Sequence, residues 1–156
     1  MKCLVVFYSR TGNTKKVAEK IAEILNCDIE EIVDIKNRSG IIGFLRSGYE
    51  AARRKLTIIA KTKYNPSDYD VVIIGTPVWA GNISVPIRTY IIMNRNKFNK
   101  LAFFCTMKMR SSPMIFKEMR ELCQKDPISA LIIRTSEINS GTYIKKVEEF
   151  ISKIKA

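Results

Sequence analysis

Short apolar runs alternate with longer amphipathic stretches along the whole chain. Lys2–Tyr8, Asp70–Gly75, Lys100–Cys105 and Ile128–Thr135 are such runs, rich in Val, Ile, Leu and Phe. They are apolar almost throughout rather than at every second position, the pattern of strands covered on both faces. Cys27–Val33 is a further strand candidate between the first two. The intervening stretches carry helical spacing. Asn13–Asn26 places Val17, Ala18, Ile21, Ala22, Ile24 and Leu25 at steps of three and four. Pro86–Met93 has Pro in its first turn, where a missing N–H costs little. Ser112–Cys123 opens with Ser-Pro, an N-cap followed by Pro at the first helical position. Ser140–Ile154 carries Ile144, Val147, Phe150, Ile151 and Ile154 on one face.

Strand alternating with helix predicts an α/β fold with a parallel sheet covered on both sides. Five such units in 156 residues make a three-layer, doubly wound open five-stranded parallel sheet, not a barrel. No linker or internal repeat interrupts it, so residues 1–156 read as one domain. One connection is longer than a crossover needs: 36 residues from Asp34 to Tyr69. Within it Gly43–Leu56 reads as a helix with Phe44, Leu45, Tyr49 and Ala52 partly on one face, and with Arg46, Arg53, Arg54 and Lys55. The simpler reading is a crossover helix with a solvated basic face; the functional one is a flap or partner-docking surface.

Composition narrows the classes. The apolar run at the N-terminus is too short for a signal-peptide core or a span, and no stretch approaches ~18 apolar residues, so a cytoplasmic protein without a membrane span is expected. The four cysteines form no C-x-x-C pair and there is no His, which leaves no zinc-site pattern. Reduced, mostly buried thiols are expected. The net charge of +12 favours acidic partners. The basic residues fall mostly on helices interleaved with Glu, without a polybasic tail or a basic–aromatic stripe, so no nucleic-acid partner is expected.

The chemistry concentrates between the first strand and the first helix, in FYSRTGNT. Ser9, Thr11 and Thr14 supply hydroxyls, Asn13 an amide and Gly12 a flexible backbone. A helix N-terminus adds unpaired N–H groups and partial positive charge, so this loop is suited to wrap a phosphate. It is neither a Walker loop nor G-x-G-x-x-G, which removes the nucleotide-hydrolase and dinucleotide readings. A second loop, GTPVWAGNISVP from Gly75 to Pro86, holds the only Trp, Trp79, at the carboxyl end of a buried strand. An aromatic plane there can stack on a ring system. A third loop runs from Thr106 to Ser111. Cys105 with Arg110 and Ser111 has one residue too few for a thiol-phosphatase loop, and a receiver domain lacks its acidic pair.

The S-x-T-G-N-T pattern after the first strand resembles the phosphate loop of flavodoxins. That resemblance implies strand order 2-1-3-4-5, with FMN at the switch between strands one and three. It implies that Ser9, Arg10, Thr11, Gly12, Asn13 and Thr14 surround the FMN phosphate. It further implies that Trp79 stacks on the isoalloxazine, with Thr76, Pro77, Val78, Ala80, Gly81 and Asn82 supplying backbone contacts to the ring and ribityl chain. Flavodoxins often place an aromatic residue in the third loop. Here Thr106, Met107, Lys108, Met109 and Arg110 stand instead, and Lys108 and Arg110 would favour an anionic reduced flavin. Two functions follow from the resemblance. One is an electron carrier between redox partner proteins, acidic ones given the charge. The other is a small FMN-dependent NAD(P)H oxidoreductase acting on quinone-like acceptors. No catalytic side chain or metal is expected, and either a monomer or a homodimer is compatible.

Overall fold

A computed structural model describes residues 1–109 and 114–156 of the chain. The apolar runs are strands β1 (Cys3–Phe7), β2 (Asp28–Glu31), β3 (Val71–Trp79), β5 (Lys100–Met107) and β6 (Ser129–Arg134), with a short β4 (Asn82–Ile83) between β3 and β5. Helices α1 (Asn13–Leu25), α2 (Gly40–Ala52), α3 (Val85–Asn94), α4 (Met114–Cys123), α5 (Thr135–Ser140) and α6 (Tyr143–Lys155) connect them. The long strands pair in the order β2-β1-β3-β5-β6, all parallel, and β4 pairs antiparallel with the end of β3. Setting β4 aside, this is the expected order 2-1-3-4-5.

Alternation along each strand splits the core between two faces. Leu4, Val6, Val72, Ile74, Leu101 and Phe103 point to one side, with Ile87, Ile91, Ile115 and Met119 of α3 and α4. Cys3, Val5, Phe7, Val71, Ile73 and Phe104 point to the other, with Val17, Ile21, Val147, Phe150 and Ile151 of α1 and α6. Each fully buried aliphatic or aromatic side chain contributes about 1.5–3 kcal/mol, so the sheet is the rigid part on which the loops stand. Gly75 allows the closest approach inside it. A Cβ there would lie 1.9 Å from the Phe104 ring.

Three elements depart from the sequence expectation. The third strand does not end at Gly75 but continues through Thr76, Pro77, Val78 and Trp79, then turns back as β4. The turn residues Ala80 and Gly81 both have positive φ, 48° and 75°, as tight hairpins with the sheet's own twist require. A short helix, α5, stands in the expected connection before the last helix; Gly141, at φ 81°, ends it and lets the chain turn into α6, which begins at Tyr143 rather than Ser140. The basic segment is helical from Gly40 to Ala52, and its apolar side chains face outward. Ser112 and Pro113, the expected start of the fourth helix, lie outside the described residues. All four thiols are free, and burial pushes that of Cys105 up to about 12, where it is no nucleophile. No described helix is long and apolar enough to cross a membrane.

Candidate functional site

The carboxyl ends of β1, β3 and β5 meet at one edge of the sheet, where the strand order reverses. A cleft of about 340 Å³ opens there. Arg10, Thr11, Asn13 and Thr14 line it from the first loop; Pro77, Val78 and Trp79 from the end of β3; and Thr106, Met107 and Lys108 from the end of β5. The three expected segments therefore converge on one cavity.

The first loop is shaped by its own hydrogen bonds. Gly12 takes φ 99° immediately before α1, a conformation open to glycine and strained for other residues. Its N–H donates to Ser9 Oγ at 3.0 Å. No side chain caps α1 and no acid stands in its first turn. The helix thus presents its N-terminal N–H groups and partial positive charge beside the cleft, with no acidic side chain among the described lining residues to neutralise them. Arg10 and Lys108 add full charges, and none of the described lining residues is acidic. The electrostatics are those of an anion site.

Thr14 is 1% exposed, and its hydroxyl shares a 2.7 Å hydrogen bond with that of Thr106. One proton serves this bond, so the other hydroxyl keeps a proton to donate. The pair also ties the first loop to the third across 92 positions of sequence.

Trp79 belongs to the end of β3, not to a free loop. Tyr8 meets it edge to face, with ring centres 5.4 Å apart at 89°, and the Arg38 guanidinium lies 5.2 Å from its ring centre. Arg38 is held in turn. Its Nε donates to Asp34 at 2.5 Å, its Nη2 to Glu50 at 2.8 Å and its Nη1 to Ser47 at 3.3 Å. Trp79 is therefore fixed from the connection between β2 and β3.

Several expected site residues do other work. Thr76 is fully buried; its hydroxyl bonds to the Pro77 carbonyl and to Ser84, bracing the β3–β4 hairpin. Ala80, Gly81 and Asn82 form the hairpin tip, where Asn82 Nδ2 donates to the Ala80 carbonyl at 2.9 Å, and they do not line the cleft. Ser9 and Gly12 shape the first loop without lining the cavity. Met109 is 80% exposed, and Arg110 lies outside the described residues.

Two lining residues were missed. Thr135, whose hydroxyl donates to the Met107 carbonyl at 3.3 Å, stands at the start of α5. Phe44 comes from α2, with Arg10 over its ring at 5.3 Å. Its signal was the excess length of the 34–69 connection. An aromatic side chain thus reaches the cleft from α2.

A flavodoxin family model matches residues 2–127. A flavoprotein from Lactobacillus acidophilus NCFM, solved in complex with FMN, is 25% identical; the match covers 89% of this chain and 97% of that one, with a TM-score of 0.74. A candidate flavoprotein from Bacteroides eggerthii DSM 20697 is 25% identical over 86% of this chain and 87% of that one, with a TM-score of 0.73. The two-electron reduced flavodoxin of Megasphaera elsdenii shares the fold, with a TM-score of 0.55 at 13% identity over 84% of this chain and 85% of that one. No curated protein matches the chain significantly. With the matched model covering most of the sequence, the chain belongs to the flavodoxin family.

Proposed function

We propose that the cleft binds FMN and that the protein carries electrons between redox partners. The observation that carries the reading is the uncapped N-terminus of α1 opening, through Thr11, Asn13 and Thr14, into a cleft that Trp79 and Phe44 also line. A phosphate satisfies the helix end and the cations Arg10 and Lys108, and a flat ring system satisfies the aromatic walls. The L. acidophilus relative, which binds FMN, supports the choice of ligand.

FMN supplies the redox chemistry, and the chain supplies binding, orientation and charge. The first loop holds the phosphate by N–H groups and by the hydroxyls of Thr11 and Thr14. Trp79, braced by Tyr8 and Arg38, gives the ring a fixed wall. Lys108 adds positive charge, which favours the more negative reduced cofactor. The cleft contains no His, Cys or carboxylate among its described lining residues, and Lys108 is the one side chain there of a type that relays protons. That favours the carrier over a small NAD(P)H oxidoreductase.

Anaerobic potentiometric titration of FMN-loaded protein tests the assignment. Two resolved one-electron steps with negligible NADPH oxidation are expected. A single two-electron step with rapid bleaching by NADPH would establish the oxidoreductase instead.

A further inference from the structure

Helix α2 packs with its polarity reversed. Gly43, Ser47, Glu50 and Ala51 form its buried face. A Cβ at Gly43 would lie 2.2 Å from the Arg38 carbonyl, so the helix sits directly on that backbone. Ser47 and Glu50 are bound by the Arg38 guanidinium. No large apolar side chain of α2 points inward. Ile41, Ile42, Leu45 and Tyr49 face solvent at 80%, 78%, 63% and 55% exposure, with Phe44 at the cleft.

At about 100° per residue, the buried positions fill an arc of about 100° and the five apolar ones an opposing arc of about 160°. Phe44 stands at one edge of that stripe, and Arg53 and Arg46 lie just beyond the other. Apolar side chains exposed singly are ordinary; a continuous stripe marks a binding surface.

The charge specifies what covers it. From Gly40 to Lys55 the chain has four cations, Arg46, Arg53, Arg54 and Lys55, and one acid, Glu50. Glu50 is buried and paired with Arg38 and Lys36. Arg53 and Lys55 lie 5.4 and 5.2 Å from the centre of the Tyr49 ring. The occupant is anionic at its surface and apolar beneath. A second copy of this chain, at +12, would set these cations against their own kind. A protein partner would need a groove cut to the convex stripe. A bilayer interface deforms around a convex helix, takes its apolar face to the acyl boundary and meets the flanking cations with lipid phosphates.

We propose that α2 is an interfacial anchor that seats the rim of the cleft on an anionic lipid surface. The inference stands on the surface alone and is independent of the cofactor. The test is co-sedimentation of the full chain with vesicles of phosphatidylcholine, with and without phosphatidylglycerol. The double variant Ile42→Ser/Leu45→Ser leaves the charge and the cleft unchanged, and far-UV circular dichroism checks its fold. Binding is expected to require phosphatidylglycerol, to weaken with salt and to fall by at least about tenfold in the double variant. Arg53→Gln/Arg54→Gln is expected to weaken binding and flatten its salt dependence. Three results would overturn the proposal. One is no partition onto phosphatidylglycerol vesicles. Another is partition that the double variant leaves unchanged, the mark of general charge attraction. The third is a lipid-free dimer that the double variant dissolves, without vesicle binding.

Discussion

Arg38→Met tests how α2 is held, because that helix has no large apolar side chain on its inner face to hold it. The side chains of Arg38 and Asp34 are each 1% exposed, and that of Glu50 is 7% exposed. Removing the guanidinium leaves two buried carboxylates and the Ser47 hydroxyl without their shared donor. Breaking a buried pair from one side costs about 3–5 kcal/mol. Three contacts soften the loss here. Lys36 Nζ remains 3.1 Å from Glu50, and the Lys36 N–H and Thr57 hydroxyl still donate to Asp34 at 3.0 and 2.9 Å. The expected destabilisation is therefore the lower figure, about 3 kcal/mol. It should act locally first, since the sheet core does not depend on Arg38 and the inner face of α2 does. Trypsin should cut after Arg46, Arg53 or Arg54 about 100-fold faster, the population of detached helix rising with that free energy. Urea unfolding followed by circular dichroism measures the global part. A midpoint equal to wild type with an unchanged trypsin pattern would refute the reasoning and leave α2 anchored by something other than this network.

Other perturbations give independent checks. Gly12→Ala puts a Cβ on a residue at φ 99° and should cost about 1–2 kcal/mol in urea unfolding, with weaker FMN binding in a fluorescence titration. Gly75→Ala drives a Cβ to 1.9 Å from the Phe104 ring, so thermal unfolding should reveal a loss of about 1–3 kcal/mol. Trp79→Ala should weaken FMN binding by about tenfold and reduce the quenching of bound flavin fluorescence. Burial raises the carboxyl of Glu50, but the hydrogen bonds from Arg38 and Lys36 outweigh it and hold it below its ordinary 4.5. The native state therefore binds fewer protons than the unfolded chain. This contribution is complete above the ordinary value and is lost as pH falls through the lower native one. Glu50→Gln should flatten that acid limb of an unfolding-versus-pH curve.

The strands were legible because LVVF, DVVIIG and KLAFFC are apolar at successive positions, which parallel strands between two helical layers need. The phosphate loop was legible because several hydroxyls and a glycine crowd one strand-to-helix turn, more than a cap requires. The β3–β4 hairpin was not, because Pro77 and Gly81 read as loop residues and Ala80 gives no signal for its positive φ. Helix α5 was not legible either, because TSEINS is short and carries one large apolar side chain, Ile138, to mark a buried face. Phe44 and the orientation of α2 were hidden for a different reason. Periodicity shows which side chains share a face, not which face turns inward. Here Arg38, from outside the helix, decides that by recruiting Ser47 and Glu50. The bond from the Thr76 hydroxyl to Ser84 was hidden as well, because sequence places Thr76 in its segment without showing which way its side chain turns.

The central claim is that the first loop grips the phosphate of FMN. Titrating apoprotein with FMN and, in parallel, with riboflavin tests it most directly, because the two ligands share the ring and ribityl chain and differ in the phosphate. Several charge-assisted hydrogen bonds, each worth about 1.5–3 kcal/mol, should make FMN at least about 100-fold tighter, and Thr11→Val should narrow that gap. Equal affinity for riboflavin and FMN, or no binding of either, would contradict the account.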